Sequence, residues 1–473
     1  MTAARTLLAA AVAAFAAGFG ALAVLQHRAY TTGRFDLGNL TQAVWSTAHG
    51  ELLELTDVEG RQISRLGAHF DPIVAAFAPA WRLWPDPSLL LITQAVAVGL
   101  GAVPVFLLAR KHLGSAWAGL GFALVYLLYP PTQWLVLDDF HPVALATPLL
   151  LLAFWFLDEG RLGAFAVAAG LACTTKEQVG FTVAAMGLWY AFARSSRRAG
   201  FAIAVAGATA AMLAISVVVP HFAPGGGSPF AGRYDRVGGS PAGIVETTVT
   251  DPGAVAGELA GRRDLAYLRD LLLPLGALPL LAPPAALTAA PELAANMLSE
   301  TATQTSIRYH YTAAAIPGLV AAAVFGAAAL RRRLAGSGRV VPRVAVVVAL
   351  GAGVVLGPMP LWRHVPLGAT AGATDHVAGA HARAAARALR HVPPGAPVSA
   401  TNTLGAHLSE RRRVFGFPVV KEARWIVVDT RRPSFRDQAD APARSAAALD
   451  RLRSDPRWRL VFEEGGIVVL HRS

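Results

Sequence analysis

The chain has 473 residues, of which 54 % are hydrophobic and only 15 % charged, whereas an average soluble domain carries roughly 25 % charged residues. Together with a mean hydropathy of +0.45, this excludes a disordered chain and argues against an ordinary cytosolic enzyme, because a bilayer can hide this much apolar surface and a core of this size cannot. The 42 Lys and Arg outnumber the 30 Asp and Glu, for a net charge of +12, but they cluster at the ends of apolar runs, as membrane topology requires, which leaves little for nucleic acid.

The first charge-free run is Thr6–Gln26. Arg5 precedes it and keeps the N-terminus inside. A cleaved signal peptide would have an apolar part of about 7–15 residues and a small-residue cleavage site; this run is longer and more follow, so an uncleaved first helix is expected. Further runs lie near 88–109, 113–135, 142–157, 162–175, 178–193, 200–220, 271–290, 309–330 and 344–362. Arg110-Lys111, Arg194 with Arg197 and Arg198, and Arg331-Arg332-Arg333 read as cytoplasmic caps. The outer segments are then 27–87, the Asp138–Pro142 turn, the Lys176-Glu177 turn and 221–269. A single crossing at 271–290 would put the Arg331 cluster outside. A second, short or re-entrant crossing between Ala282 and Thr305, turned by Pro283-Pro284, restores the rule and places the C-terminal part outside. Cys173 stands alone in an apolar stretch, which excludes a disulfide framework and a cysteine-based zinc site.

From about Arg363 the chain is soluble in character. Asp375–Val392 reads as an amphipathic helix, Pro397–Ala400 and Trp425–Asp429 as strands with a helix near Thr401–Ser409 between them, and Ser445–Ser454 as a further helix. Leu460–Glu463 and Ile467–Leu470 flank a Glu464-Gly465-Gly466 hairpin signal. The expected fold class is an all-α polytopic membrane protein of about 10–12 transmembrane helices with a small C-terminal α/β soluble domain. The expected domains are 1–362, in the membrane, and 363–473, soluble. No internal repeat is visible.

The informative residues are polar groups at or near membrane depth, where charges are costly and tend to be functional. Asp36, in Arg34-Phe35-Asp36-Leu37-Gly38-Asn39, opens a helix whose Leu40, Val44 and Trp45 share a face. It serves as an N-cap, as a reactive carboxylate, or as both. His69-Phe70-Asp71-Pro72 precedes an apolar surface helix at Ile73–Trp84, with Trp81 and Trp84 as interfacial anchors. Asp138-Asp139-Phe140-His141-Pro142 is a tight outer turn that is either merely solvated or able to hold a sugar hydroxyl or a divalent cation. Lys176-Glu177 is either a self-neutralising pair or a phosphate-holding lysine with its partner. Glu292, Asn296 and Arg308-Tyr309-His310-Tyr311 complete the set, with Arg308 and His310 facing the headgroup zone. There is no Gly-x-x-x-x-Gly-Lys-Ser/Thr loop, no His-Glu-x-x-His and no Gly-x-Ser-x-Gly, so input of energy from a cytosolic nucleotide is unsupported.

Phe35-Asp36-Leu37-Gly38, Gln42-Ala43-Val44-Trp45, His69-Phe70-Asp71-Pro72, Tyr129-Pro130, Phe140-His141-Pro142, Lys176-Glu177, Pro291–Ser299 and His310-Tyr311 together resemble the bacterial membrane family known as domain of unknown function two-zero-seven-nine, over about residues 27–430. Gln178 stands where many relatives carry an acidic residue, which argues against a metal or acid role there. The family is in turn similar to the GT-C polytopic glycosyltransferases. That resemblance implies a catalytic carboxylate right after the first span, two membrane-surface helices in the first outer loop (here 36–48 and 72–84), and a polyprenyl-phosphate or diphosphate sugar donor.

The function so implied is transfer of a sugar to a cell-envelope acceptor at the outer face of the inner membrane, with Asp36 as general base. Lys176, Arg308 or Arg34 would meet the leaving phosphate. His69, Asp139 and His141 would hold hydroxyls or a metal, and Asp138, Glu177 and His310 complete the substrate-binding set. A divalent cation is admissible and not required, and no metal ligands are assigned. The alternatives are a transporter or flippase of a lipid-linked or envelope substrate, against which stand the missing inverted repeat and the one-sided polar groups, and an envelope scaffold, which leaves the membrane-depth charges unexplained.

Overall fold

The computed structural model describes residues 2–227, 231–259, 261–334, 337–434, 437 and 442–473. Among the described residues, four helices are long and apolar enough to cross a membrane: Thr2–Arg28, Ser88–Leu113, Arg197–Phe222 and Ala315–Arg333. Ala116–Leu128 and Pro130–Leu137 form a further, broken span, bent by 48°. The bend has a local cause. Pro130 and Pro131 cannot donate to the preceding turn, and Tyr129 ahead of them is pushed into extended backbone, with φ −63° and ψ 117°. Shorter apolar helices, Pro142–Asp158, Leu162–Cys173, Val179–Ala193 and Val340–Leu356, fill the bundle. Its core is made by residues such as Phe122, Tyr126, Phe154 and Ile316, all nearly inaccessible.

The stretch expected to cross at 271–290 is not one helix. Prolines 274, 279, 283 and 284 break it into short turns, which follow the helix Arg262–Leu272 and lead into Ala290–Met297. Its course is fixed by packing on Ala315–Arg333. Leu278 lies against Gly326, where an added Cβ would meet its carbonyl, Thr288 and Ala289 lie against Gly318, and Asn296 donates to the carbonyl of Tyr311 at 2.7 Å. The segment therefore runs toward the Arg331–Arg333 end and comes back, with Pro283-Pro284 in its return arm. This is the reversal that the charge pattern demands.

The cation-rich ends collect at that far end of the bundle. Asp158, with no exposed side-chain surface, pairs with Lys111 at 2.7 Å and with His112 at 3.0 Å, and also meets Arg194. The Arg331 guanidinium packs beside Gly114.

The opposite end carries the C-terminal domain. Its five-stranded sheet has the order β4-β3-β5-β7-β6, where β3 is Val398–Ala400, β4 Val414–Gly416, β5 Trp425–Asp429, β6 Trp458–Glu464 and β7 Ile467–Arg472. β3 runs parallel to both β4 and β5, and the β5–β7 and β6–β7 pairs are antiparallel. Helices Ala380–Leu389, Asn402–Ala406 and Pro442–Ser454 accompany it. The first is shorter than the expected Asp375–Val392 because Gly379, in extended backbone, sets its start. β4 adds an edge strand of three residues, too short to leave an alternation in the sequence.

The first long loop is also more enclosed than expected. A small hairpin, β1 (Glu54–Thr56) with β2 (Gln62–Ser64), joins its helices. The helix Asn39–Ala48 has eight of its ten residues buried, Gln42 and Thr41 among them. It is a buttress between this hairpin and the sheet domain and not a helix resting on lipid. The stretch after Pro72 is a 3-10 turn, Pro72–Phe77, leading into Ala78–Leu83, with Trp81 buried and Trp84 exposed.

Candidate active site

Asp36 lies on a π-helical turn, Arg34–Gly38, that follows the first span after a left-handed kink at Tyr30. The next helix begins at Asn39 with Gly38 in the cap position, so Asp36 is not its N-cap. Four residues hold this turn from outside. The Gly33 N–H donates to Asp139 Oδ2 at 2.8 Å, and the Phe35 N–H donates to Asn402 Oδ1 at 2.9 Å. Arg34, fully enclosed, donates to the Val414 and Thr56 carbonyls, each at 2.7 Å. The Asp36 side chain keeps 43 % exposure, so its carboxylate is reachable from outside the chain.

The second element is the turn after Pro130–Leu137. Asp139 adopts a left-handed φ of 49°, which throws its side chain toward Gly33 and leaves Asp138 facing the other way. Gln94, fully buried on the helix Ser88–Leu113, clasps this turn: its Nε2 donates to the Asp139 carbonyl at 2.6 Å and its Oε1 accepts from the His141 N–H at 2.9 Å. A buried amide satisfied on both sides is a rigid support. It aims His141 at Asp36, with Nε2 3.4 Å from Oδ1.

Two segments remote in sequence then meet. His310 donates its backbone N–H to Asp138 Oδ2 at 2.7 Å, and its Nδ1 lies 2.9 Å from the same oxygen. The His141 and His310 rings stack at 3.6 Å with 16° between planes. Asp138, His141 and His310 offer donor atoms within 4.8 Å of one another. Burial, with repulsion from Asp36, pushes the Asp139 carboxyl up to about 8. Burial likewise lifts Asp138 to about 6, although the His141 imidazole opposes the rise.

His69 and the Lys176-Glu177 turn form the third element. Glu177 accepts from His69 Nδ1 at 2.9 Å and from the Phe70 N–H at 3.0 Å, tying the first loop to this turn. Burial disfavours a charge on Glu177, but the His69 imidazole and the Lys176 ammonium outweigh it and hold the carboxyl down at about 2. Asp71 is taken up by a buried pair with Arg65 at 2.7 Å. Lys176 sits over the Tyr311 ring at 5.5 Å, and Arg233 approaches the same ring at 6.0 Å.

Of the residues singled out from sequence, Asp36, Asp138, His141 and His310 are thus in mutual contact, with Lys176 adjoining through Tyr311. Asp139, His69 and Glu177 brace the segments that carry them. Arg308 stands apart over Trp134 at 5.8 Å and lines a neighbouring cavity of about 280 Å³ with Arg263, Tyr267, Val355 and Leu356. Arg34 turns away from the cluster, because its guanidinium is spent on main-chain carbonyls of β4 and β1. Gln94, Arg233 and Asn402 went unremarked. Gln94 alone left a trace, as a polar residue inside a charge-free run; the other two lie in segments where polar residues are ordinary.

A helical bundle with a polar cluster at one end, roofed by a small sheet domain, defines a polytopic membrane protein with a GT-C-type fold. It is similar to the crystal structure of ArnT from Cupriavidus metallidurans bound to undecaprenyl phosphate, with a TM-score of 0.54 at 13 % identity over 99 % of this chain and 98 % of that one. The apo form of the same protein gives a TM-score of 0.51 at 14 % identity, over 92 % and 93 %. The chain belongs to the DUF2079 family of predicted membrane proteins, whose profile matches residues 26–469. No curated protein matches it.

Proposed function

We propose that this chain is an integral-membrane glycosyltransferase that moves a sugar from a polyprenyl-(di)phosphate donor to an extracytoplasmic acceptor, with Asp36 as general base. The observation that carries the reading is the exposed Asp36 carboxylate, 3.4 Å from His141, on a fold similar to that of a protein captured with undecaprenyl phosphate. A lipid-linked donor has its head at the interface and its tail in lipid, which calls for a polytopic enzyme. In an inverting transfer the acceptor oxygen attacks the anomeric carbon, its proton passes to the base, and the phosphate leaves with the bonding pair.

Asp36 is suited to take that proton, and His141 holds its carboxylate in place. Lys176, and Arg308 with Arg263 in the adjoining cavity, supply positive charge for the departing phosphate. The apolar wall of that cavity, Val355 and Leu356, suits the first isoprene units. The domains follow as a membrane part, 1–362, and a soluble part, 363–473. Because the Arg194 and Arg331–Arg333 cations gather at the opposite end, the positive-inside rule puts the site and the sheet domain outside the cell.

The test is transfer from a polyprenyl-phosphate sugar in proteoliposomes. Asp36→Asn should cost about 10²–10⁴-fold in rate with unaltered melting, and full activity would remove Asp36 as base. Ser434→Cys in a Cys173→Ser background should be labelled by an impermeant maleimide in intact cells; labelling only after lysis would reverse the orientation.

A further inference from the structure

Residues 363–473, under a quarter of the chain, carry 18 Lys and Arg against 10 Asp and Glu, which is two thirds of the chain's excess positive charge. Charges in a domain of this length do not set topology, because long domains cross a membrane largely regardless of charge. The excess calls for another explanation, and its placement supplies one. We propose that the end of the sheet where β5 and β6 begin and β7 finishes is a docking surface for an anionic glycan, a sugar chain bearing carboxylate or phosphate groups.

The sheet register assembles this surface. Trp425 and Arg459 are both Cα partners of His471, and residues directly opposite each other share a face. Trp425, His471 and Arg459 thus form a row across three strands, with the Trp425 and His471 rings 4.4 Å apart at 38°. Neighbours along a strand point to the other face, so Arg424 and Arg472 leave from the opposite side of the same end. The Arg472 N–H donates to the Arg424 carbonyl at 2.9 Å, and the Ser473 N–H donates to the Arg457 carbonyl at 2.9 Å.

Little there answers the charge. Arg424 and Arg459 are exposed. Among the described residues they form none of the domain's arginine ion pairs, which join Arg387 to Glu464, Arg413 to Glu422, Arg453 to Glu463 and Arg457 to Asp455. Hydrogen bonds from Arg457, with the Arg472 charge beside them, hold Asp455 down at about 2. Even with Asp455 and a terminal carboxylate at Ser473 counted, four guanidiniums leave this end cationic.

Guanidinium forks match carboxylate and phosphate oxygens. A flat, half-buried indole held against a neighbouring ring offers the apolar face of a sugar a rigid platform at small entropic cost. Location favours a glycan over a lipid surface. β6 is the edge of the sheet opposite β4, the strand whose Val414 carbonyl takes Arg34 from the membrane part. The other end of β5 approaches the Asp36 turn, since the Asp429 N–H donates to Thr401 Oγ1 at 3.1 Å and the adjacent Asn402 holds Phe35. A glycan docked at Trp425 lies four residues, about 13 Å, from that end.

The experiment uses the full-length chain in phosphatidylcholine nanodiscs and a fluorescent oligogalacturonate, read by anisotropy at about 50 mM and about 300 mM salt. No sugar donor is present, so the result stands apart from the transfer reading. We expect binding that weakens at least about tenfold at the higher salt, and at least a tenfold loss in Arg424→Glu with Arg459→Glu. Arg383→Glu with Arg432→Glu makes the same charge change on exposed residues at the other end of the domain and should lose less than twofold. Unchanged melting checks that both double variants fold. No binding by the wild-type chain at low salt would overturn the proposal, as would an equal loss in the two double variants. Polyphosphate bound as tightly as the glycan would reduce the surface to a general polyanion patch and overturn it. So would displacement of the glycan by phosphatidylglycerol vesicles but not by phosphatidylcholine ones, which would assign the surface to lipid.

Discussion

The two ends of the bundle each bury acidic side chains, and they settle them in opposite ways. At the Arg331 end, Asp158 is wholly enclosed and surrounded by Lys111, His112 and Arg194. Its charge is answered, and no ligand can reach it. At the other end Asp36, Asp138 and Asp139 crowd together around two imidazoles, and Asp36 remains open. A wholly enclosed cluster is structural, while one whose carboxylate reaches the surface is accessible to a ligand. On the proposed function, the difference marks the end where chemistry would occur better than any single residue does.

Paired substitutions test this contrast most strongly. Asp36→Asn should abolish transfer and leave melting unchanged. Asp158→Ala should do the reverse. Removing one partner of a fully buried ion pair costs about 3–5 kcal/mol, but Lys111 and Arg194 keep 36 % and 34 % exposure, so water screens them and about 1–3 kcal/mol is expected. Thermal melting in detergent, with transfer measured per folded molecule, separates the two. If Asp158→Ala loses transfer at unchanged stability, the contrast fails.

Gln94→Leu comes next. It leaves the Asp139 carbonyl and the His141 N–H without their buried partner, at about 1–3 kcal/mol. It should also lower transfer, because His141 loses its support; melting and turnover in the same preparation check both. The smallest expected effect is that of Asn402→Ala, which frees the Phe35 N–H from the sheet domain. A lower kcat at unchanged KM, with stability within about 1 kcal/mol, would mark Asn402 as a positioning residue. A rise in KM alone would place it on the acceptor path instead.

Much of this site was legible because charges stand out in so apolar a chain. Asp36, Asp138, His141, Lys176 and His310 each interrupt or border an apolar run, and all lie at the same end. That the segment doubles back could be inferred from charge parity, but the expected turn at Pro283-Pro284 could not stand, since the reversal precedes these prolines near Leu278, and periodicity is lost when four prolines divide the run. What stayed hidden are contacts made across hundreds of residues. Nothing local in Asn402 or Val414 announces the partners they have in Phe35 and Arg34, and Arg34 looks like any interfacial cation until its carbonyl partners are known. Asp138 and Asp139 could not be told apart in sequence; the left-handed φ at Asp139 assigns one to the imidazoles and the other to the backbone.

The anchoring of the Arg34–Gly38 turn by Asn402 and Val414 has a consequence for biogenesis. The segment that bears Asp36 is among the first to leave the ribosome, and its fasteners are among the last. A nascent chain therefore carries the Asp36 turn unfastened through insertion of the whole bundle, and on the proposed function a product lacking the final domain would lack the supports of its base.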